Sequence, residues 1–330
     1  MKLLKELYKI YSPSGNERKM QKFLMWWVKK NIPSAKVSKD KKGNIYVLKG
    51  KSDTYPCIVS HIDQVQKNHS KDFQVIDSCG ALFGYSMKNK RLEGLGADDK
   101  NGIWVCLKCL EKYDAMKAAF FVEEETGCCG SSECDLGFFD DCRFVLQCDR
   151  RNGTDLITNI LWTELCSGEF LNDTGYEDFG YKMAEGMLTD VCELKENGLK
   201  VSALNISCGY YSPHTDQEFT VKSELANCLN FVQHIIETCT NVYPHEDLGY
   251  GDFYLSGYHH GRHFNGSPEY DAYLGEEYDE AFEIIEDYLN YAPNTPAEEV
   301  YERYKDCFFY LTKDDIIQMT EDIKNMDFMN

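Results

Sequence analysis

The sequence predicts an α/β fold in which a central sheet is covered by helices on both faces. Short apolar segments that are typical of buried strands alternate with segments of helical periodicity along the chain. Strands covered on both faces are near-continuous apolar runs, and the segment "CIVSHI" begins in that way. With 43% apolar residues in a chain of 330, there is enough material for one large core or two domains.

The predicted elements follow in order. A helical repeat of apolar residues predicts a first amphipathic helix, built on Met20, Phe23, Leu24, Trp27 and Val28. Asn16 is the expected cap, and we expect the adjacent Trp26 and Trp27 to serve in the core rather than in function. Strands are predicted at "NIYVLKG", "CIVSHI", "AAFFVEEE", "FVLQCD" and "SALNIS". Further helices are predicted after "GADDKNG" and from about Val221 to Thr240.

The chain is predicted to divide into residues 1–245 and an acidic, mainly helical C-terminal extension, residues 246–330. The extension has 21 acidic and 5 basic residues, so it carries most of the net charge of −20. Within it, Thr295 followed by Pro296 is typical of a helix start. Because this charge repels phosphates, we expect neither nucleic acid nor a membrane as a partner. Solubility is the simplest purpose of the acidic surface.

The fifteen cysteines predict reduced thiols rather than a disulfide framework, because many lie in apolar strand-like runs and the N-terminal segment has no secretory pattern. We therefore expect a cytoplasmic protein. Cys106 and Cys109 form a single CxxC whose spacing suits one helix face, and this spacing favours the core over zinc binding.

A histidine and a carboxylate end the apolar strand "CIVSHIDQV". His61 and Asp63 are two positions apart, so on a strand they lie on the same side. Alone, this pair fits a polar strand end as well as it fits a metal ligand with the carboxylate that orients it.

Four other strand ends or turns carry the same chemical types. They are "GLGADDKNG" with Asp98 and Asp99, "FFVEEETGCCG" with Glu123, Glu124 and Glu125, "VLQCDRR" with Asp149, and "YYSPHTDQEF" with His214. Each has an ordinary alternative as a helix cap, a solvated face, a partner of the adjacent arginines or a cap-region histidine. Jointly they favour a site, because the carboxyl ends of neighbouring strands in such a sheet converge on one crevice.

Carboxylates gathered in one crevice require positive charge. Without cations, several of their pKa values would rise and the fold would be destabilised. Lys100 is the only lysine near these motifs, so two divalent metal ions are the economical explanation.

The order H-x-D, G-A-D-D-K-x-G, E-E-x-G, D and a late H resembles the co-catalytic di-zinc exopeptidase superfamily, and peptidase T most closely, over roughly residues 5 to 240. The resemblance implies a phosphorylase/hydrolase-like three-layer αβα sandwich with a mixed central sheet. It also implies a zinc-dependent metallopeptidase that cleaves short peptides, with two Zn²⁺ ions for which Co²⁺ or Mn²⁺ could substitute.

The resemblance also assigns roles to individual residues. His61, Asp98 and Asp149 would bind the first ion, and Asp98, Glu125 and His214 the second. Asp63 would orient His61, and Glu124 would be the general base that takes a proton from the zinc-activated water. The family usually has a cis peptide bond at the position of Asp98–Asp99.

The chain departs from the peptidase T pattern in one respect. Only 64 residues separate Asp149 from His214, which leaves no room for the inserted lid domain of that family. We expect this segment to form part of the core, and the aromatic segment with Tyr210 and Tyr211 to contact substrate.

The direction of cleavage is open at this point, although an aminopeptidase is favoured. Asp190 could receive the substrate ammonium group, or it could be a helix cap. A carboxypeptidase or an N-acyl amino acid deacylase would instead need a guanidinium, for which Arg150 and Arg151 are the candidates. A non-catalytic binding protein is a further alternative. A homo-oligomer is compatible with the sequence.

Overall fold

The computed structural model describes residues 1–160, 163–246, 281, 285, 289, 295–304 and 311–327. Contacts divide the chain into two compact units, Met1–Asp252 and Phe253–Asn330. The boundary between residues 245 and 246 stays a prediction.

The described part of the first unit contains strands and helices in alternation. The strands are β1 (Lys36–Lys39), β2 (Ile45–Lys49), β3 (Tyr55–His61), β4 (Phe73–Ser78), β5 (Ala81–Ser86), β6 (Arg91–Leu92), β7 (Met116–Phe121), β8 (Cys142–Arg150), β9 (Asp155–Ile160), β10 (Thr163–Glu164), β11 (Lys182–Glu185), β12 (Ala203–Ser207), β13 (Tyr210–Tyr211) and β14 (Phe219–Val221). The α-helices are α1 (Lys2–Tyr8), α2 (Arg18–Asn31), α3 (Ala97–Lys112), α4 (Cys129–Ser132), α5 (Gly168–Thr174), α6 (Asp190–Glu196) and α7 (Lys222–Thr238). Short 3₁₀ turns span Glu124–Thr126, Leu136–Phe139 and Tyr176–Phe179.

The central sheet is mixed, as expected. Its nine strands run in the order β1-β2-β7-β3-β8-β12-β9-β10, with β11 also paired to β9. Strand β3 is parallel to both β7 and β8, and β12 is parallel to β8, whereas β1, β2 and β10 pair antiparallel with their neighbours. The parallel centre gives the sheet one edge at which several strands end together.

Residues of one strand alternate between two cores, which makes the architecture a three-layer sandwich. In β3, Ile58 belongs to the core that includes residues of α2, α3 and α7, whereas Cys57 and Val59 belong to the core that includes α6. Both cores are built from buried apolar side chains, most of them with no exposed surface. Burying apolar surface on both faces of the sheet is the main stabilising contribution to this fold. The predicted αβα class is confirmed.

A second, five-stranded sheet was not predicted. It has the order β13-β14-β5-β4, with β6 paired to β5. Strand β4 is mostly exposed or half-buried, so it lacks the apolar run by which the central strands were found.

Two details of the first helix prediction are wrong. The cap residue of α2 is Glu17 rather than Asn16, and its side chain makes no capping hydrogen bond. Trp27 is buried, with 5% of its surface exposed, but Trp26 is 52% exposed and lies outside the core.

The segment between Asp149 and His214 forms core rather than a lid, as predicted. Its strands β9 to β12 all belong to the central sheet. The fourteen described cysteines are free thiols, and Cys106 and Cys109 are buried side chains of α3. Within the described ranges, no helix has the length and apolarity needed to cross a membrane.

The described residues of the second unit include two helices. Helix α8 (Ala297–Tyr304) begins one residue after the predicted first helical position, Pro296, and α9 (Lys313–Asp327) follows. Val300, Ile316 and Met319 are among the buried residues of one apolar cluster. Ala281, Ile285 and Leu289 belong to the same cluster, whereas residues 247–280 and further positions of the extension lie outside the described ranges.

Candidate metal centre

The carboxyl edge of the parallel strands carries the predicted site residues. His61 is the last residue of β3, and Asp149 lies near the end of the neighbouring β8. Glu124 and Glu125 form the turn that follows β7, on the other side of β3. Because β3, β7 and β8 are parallel, these chain segments end at the same edge of the sheet.

The first group of possible metal ligands consists of His61, Asp98 and Asp149, all three buried. Nε2 of His61 lies 2.8 Å from Oδ1 of Asp98 and 3.6 Å from Oδ1 of Asp149. One ligand atom from each of the three residues lies within 4.8 Å of the others. Such spacing is compatible with a single cation between them.

The second group consists of Asp98, Glu125 and His214. Nε2 of His214 lies 3.4 Å from Oδ2 of Asp98 and 3.0 Å from Oε2 of Glu125. Asp98 thus faces His61 with one carboxylate oxygen and His214 with the other. This shared position is the geometry that a bridging ligand requires.

Asp63 contacts both the imidazole of His61 and the turn that contains Glu124 and Glu125, which is called the glutamate turn below. Its Oδ1 lies 3.3 Å from Nδ1 of His61 and accepts a hydrogen bond from the backbone N–H of Glu124 at 3.0 Å. Its Oδ2 accepts from the N–H of Glu125 and, at 2.7 Å, from Oγ of Ser14. Nδ1 of His61 makes no hydrogen bond in the described part of the chain, so its contact with Asp63 is an ion-pair contact, and a carboxylate so placed can orient the ring.

Glu124 lies beside the first group without belonging to either group. Its Oε2 is 3.9 Å from Nε2 of His61. The preceding Glu123 instead forms an ion pair with Lys42 at 2.9 Å, away from the cluster. The two adjacent glutamates therefore have different surroundings.

The charges of the cluster are unbalanced. Burial raises the pKa of Glu124 well above its usual value, and the charges of Asp149 and Asp190 add to this shift. Burial, together with the charge of Asp98, raises the pKa of Asp149 to about 8. Although burial opposes it, the charges of Asp149 and Glu124 raise the pKa of His61. The side chains therefore favour additional positive charge at this position.

A cation fits this donor set. Oε1 of Glu125 is buried and has no hydrogen-bond partner in the described part of the chain. A buried carboxylate oxygen without a partner is costly, and a cation would satisfy it. Two imidazoles with three carboxylates are ligands that zinc accepts.

The two aspartates at the start of α3, Asp98 and Asp99, have different surroundings. The peptide bond between Asp98 and Asp99 is cis, as expected. Asp99 belongs to neither ligand group and accepts hydrogen bonds from the N–H of Gly102 at 3.0 Å and from Oγ of Ser60. A Cβ atom at Gly102 would lie 2.3 Å from Oδ1 of Asp99, so this glycine provides the space for the carboxylate.

The three residues predicted to bind substrate lie in different surroundings. The hydroxyl of Tyr210 donates to Oδ1 of Asp149 at 3.2 Å, so Tyr210 reaches the cluster. Tyr211 stacks on Phe219 and donates to Glu224. Asp190 is fully buried, and its oxygens accept hydrogen bonds from protein side chains. Contacts of these residues with substrate stay predictions.

Several residues that support the cluster were not singled out from the sequence. Ser14 binds Asp63, Gln147 binds Asp149, and Glu218 accepts a hydrogen bond from the backbone N–H of Asp98 at 3.2 Å. Of these, only Gln147 carried a local signal, since it lies two positions before Asp149 on the same strand.

Comparisons with known proteins relate this fold to solved structures. No protein-family model matches the sequence, and no curated protein matches it. The structure resembles aminopeptidase PepT from Bacillus cereus, with a TM-score of 0.56 and 14% identity over 72% of this chain and 97% of that chain. It also resembles a tripeptidase from Staphylococcus aureus, with a TM-score of 0.57 and 14% identity over 71% and 96% of the two chains.

A third similar structure is the TET1 peptidase of Pyrococcus horikoshii, described as able to assemble into a tetrahedron or a large octahedral shell. Its TM-score is 0.50, with 13% identity over 71% of this chain and 98% of that chain. At such identities the likeness establishes the fold. This chain has the αβα fold of these aminopeptidase, tripeptidase and TET peptidase structures.

Proposed function

We propose that this chain is a metallo-exopeptidase, an aminopeptidase that removes N-terminal residues from short peptides with two divalent ions. The observation that carries the proposal is the position of Asp98, which faces His61 with one oxygen and His214 with the other. A carboxylate between two imidazole-containing groups supports a pair of ions rather than one.

Zinc is the proposed metal, with cobalt or manganese as substitutes. Two histidine nitrogens and a set of carboxylate oxygens suit zinc, and the imidazoles disfavour magnesium and calcium. His61, Asp98 and Asp149 would hold one ion, and Asp98, Glu125 and His214 the other. When bound, the two ions would polarise the peptide carbonyl and lower the pKa of water.

In this proposal Glu124 is the general base. Its carboxylate lies beside the first ligand group, 3.9 Å from His61, and belongs to neither group. It would take the proton of the attacking water and pass it to the nitrogen of the departing amine. Asp63 would keep His61 oriented through Nδ1, which leaves Nε2 for the metal.

The aminopeptidase reading is favoured over the carboxypeptidase and deacylase readings. Arg150, a candidate partner for a substrate carboxylate, lies 3.5 Å from Oδ2 of Asp155. The names of the similar solved structures, aminopeptidase and tripeptidase, agree with this preference. The contact of Asp190 with the substrate ammonium stays a prediction and carries no weight in this proposal, because that side chain is fully buried and accepts hydrogen bonds from Ser131 and Gln147.

Two further features belong to the same proposal. A homo-oligomer is suggested by the assemblies named for the TET1 peptidase, and light scattering coupled to size exclusion would measure it. A cytoplasmic location is supported by the fourteen free thiols among the described residues.

The deciding experiment combines elemental analysis with a peptide library. The proposal expects about two zinc ions per chain and hydrolysis of di- and tripeptides only when their amino terminus is unblocked. Hydrolysis that requires a free carboxyl terminus, or that occurs on N-acyl amino acids, would replace the aminopeptidase with one of its alternatives. A protein that binds no metal and cleaves no member of the library would contradict the enzyme proposal altogether.

A further inference from the structure

Gln147 is buried and donates a hydrogen bond to Asp149, a member of the first ligand group. It lies in β8 two residues before Asp149, so the two side chains lie on the same side of the strand. Its amide nitrogen donates to Oδ2 of Asp149 at 3.1 Å and to Oδ2 of Asp190 at 3.3 Å. Its oxygen accepts from Oγ1 of Thr189 at 2.8 Å and from the N–H of Val191 at 3.0 Å. All four hydrogen-bonding positions of the amide are thus filled.

The hydrogen bond from Gln147 is the shorter of two that Oδ2 of Asp149 accepts. Gln147 donates to Oδ2 at 3.1 Å and the hydroxyl of Thr189 at 3.4 Å, whereas Oδ1 accepts from Tyr210 at 3.2 Å and lies 3.6 Å from Nε2 of His61. Without Gln147, Oδ2 would keep only the longer contact with Thr189, and the carboxylate could rotate more freely. The amide therefore acts together with Tyr210 to hold the orientation that places Oδ1 toward His61.

Asp190 extends this connection to the glutamate turn. Its Oδ1 accepts a hydrogen bond from Oγ of Ser131 at 2.6 Å, and Ser131 belongs to α4. The chain between Glu124 and α4 is held by a backbone hydrogen bond from the N–H of Cys128 to the carbonyl of Glu124 at 2.8 Å. A continuous set of contacts thus runs from Asp149 through Gln147, Asp190 and Ser131 to the turn that carries Glu124.

We infer that Gln147 and Asp190 are positioning residues that set the orientation of Asp149 and its placement relative to the turn with Glu124 and Glu125. The inference rests on the proposed function, because it concerns Asp149 as a metal ligand. The buried carboxylate of Asp190 serves this purpose by offering one acceptor to Ser131 and another to Gln147. Two acceptors on opposite sides are what a carboxylate supplies and a single amide oxygen does not.

The test is the zinc affinity of Gln147→Met, which keeps the side-chain length and removes every hydrogen bond. Affinity is measured by competition with a chromophoric chelator, together with kcat and KM on a tripeptide. We expect zinc binding weaker by about 10- to 100-fold, as is typical when the partner of a metal ligand is lost. At saturating zinc we expect a lower kcat with a smaller change in KM, because the base and the ligands would be misaligned while substrate contacts remain.

Two further variants separate positioning from general stability. Asp190→Asn keeps the size of the side chain but leaves one of its two donors without an acceptor, and should weaken zinc binding in the same direction by a smaller factor. Ser202→Ala is the matched control, since Ser202 is a fully buried residue that accepts a hydrogen bond from the N–H of Ser167, away from the cluster. It should lower the stability of the zinc-free protein and leave zinc affinity unchanged.

The possible outcomes distinguish this inference from the proposed function. One outcome would overturn the positioning role alone. In it, the wild type binds zinc and hydrolyses peptides, and the zinc affinities of Gln147→Met and Asp190→Asn are both within threefold of the wild-type affinity. A wild type that binds no zinc would overturn both. Should Gln147→Met not fold, Asp190→Asn decides the matter by the same comparison.

Discussion

At the scale of single residues, Glu124 and Glu123 provide a matched pair for testing the proposed mechanism. The side chain of Glu124 lies beside His61 and is 11% exposed, whereas that of Glu123 is paired with Lys42 and is 32% exposed. We expect Glu124→Gln to lower kcat by roughly two to four orders of magnitude, because an amide cannot take the proton of water. Zinc content should be nearly unchanged. Glu123→Gln should keep both activity and zinc, and a turnover of Glu124→Gln close to that of wild type would exclude Glu124 as the base.

A second residue, His69, makes stability depend on pH. Its ring stacks with Tyr11, with centroids 5.2 Å apart, and lies against Phe73. Burial, assisted by the charge of Lys100, lowers the pKa of His69 to about 4. The unfolded chain therefore binds a proton near the ordinary histidine pKa of about 6.5, while the folded chain does not. The free energy of unfolding therefore falls as the pH drops from about 6.5 toward about 4. Below about pH 4, His69 causes no further loss.

The variant His69→Phe should remove this dependence, since it retains an aromatic ring and cannot bind a proton. Urea unfolding of the zinc-free protein at pH 7.5 and pH 5 is the measurement. Between these values the wild type should lose more stability than the variant, by up to about 1 kcal/mol once solvent screening of this half-exposed ring is allowed for. Equal losses for both proteins would show that His69 does not titrate differently on folding.

At the scale of elements, helix α2 allows a comparison of two adjacent tryptophans. Trp27 packs in the main core with 5% of its surface exposed, and Trp26 is 52% exposed. Trp27→Ala should lower the free energy of unfolding by about 3 to 5 kcal/mol through lost burial and a new cavity. Trp26→Ala should change it by less than about 0.5 kcal/mol. Denaturant titration measures both, and comparable effects would contradict the placement of α2.

The burial of each strand explains which elements the sequence could predict. Strands β3, β7 and β8 are buried on both faces, so their apolar runs are distinct from their surroundings, and the polar residues that end them were visible as a group. The second sheet has no such run, because β4 and β6 are largely exposed. The cap of α2 was misplaced because Glu17 begins the helix without a side-chain capping bond.

Supporting residues of the site were harder to predict than the candidate ligands. Glu218 reaches the backbone of Asp98 across 120 positions of sequence, and Ser14 reaches Asp63 across 49. Neither belongs to a local pattern of spacing. Such contacts are fixed by the tertiary fold, which packs α3 and the loops after the strands against one another, and no periodicity of the chain encodes them.

At the scale of the whole molecule, metal binding should be coupled to stability. A ligand that binds only the folded state stabilises it in proportion to the logarithm of its concentration over its dissociation constant, by about 2.7 kcal/mol at a hundredfold excess. Removing zinc with EDTA should therefore lower Tm by several degrees, and adding zinc should restore it. Differential scanning fluorimetry measures this shift.

The variant His61→Ala is the control for this experiment, because it removes one proposed ligand. Its Tm should respond less to EDTA than that of the wild type, and its zinc content should be lower. A Tm that is insensitive to EDTA in both proteins would argue against a metal in the folded state.

The position of Asp98 between the two ligand groups limits how the proposed centre can be lost in evolution. In the proposed centre, a substitution at His61, Asp149, Glu125 or His214 would touch only one half, whereas Asp98 would supply an oxygen to each half. One inherited change at codon 98 would therefore disable both halves together. Natural descendants that retain a single working half should be found with Asp98 intact and with their loss at one of the other four positions.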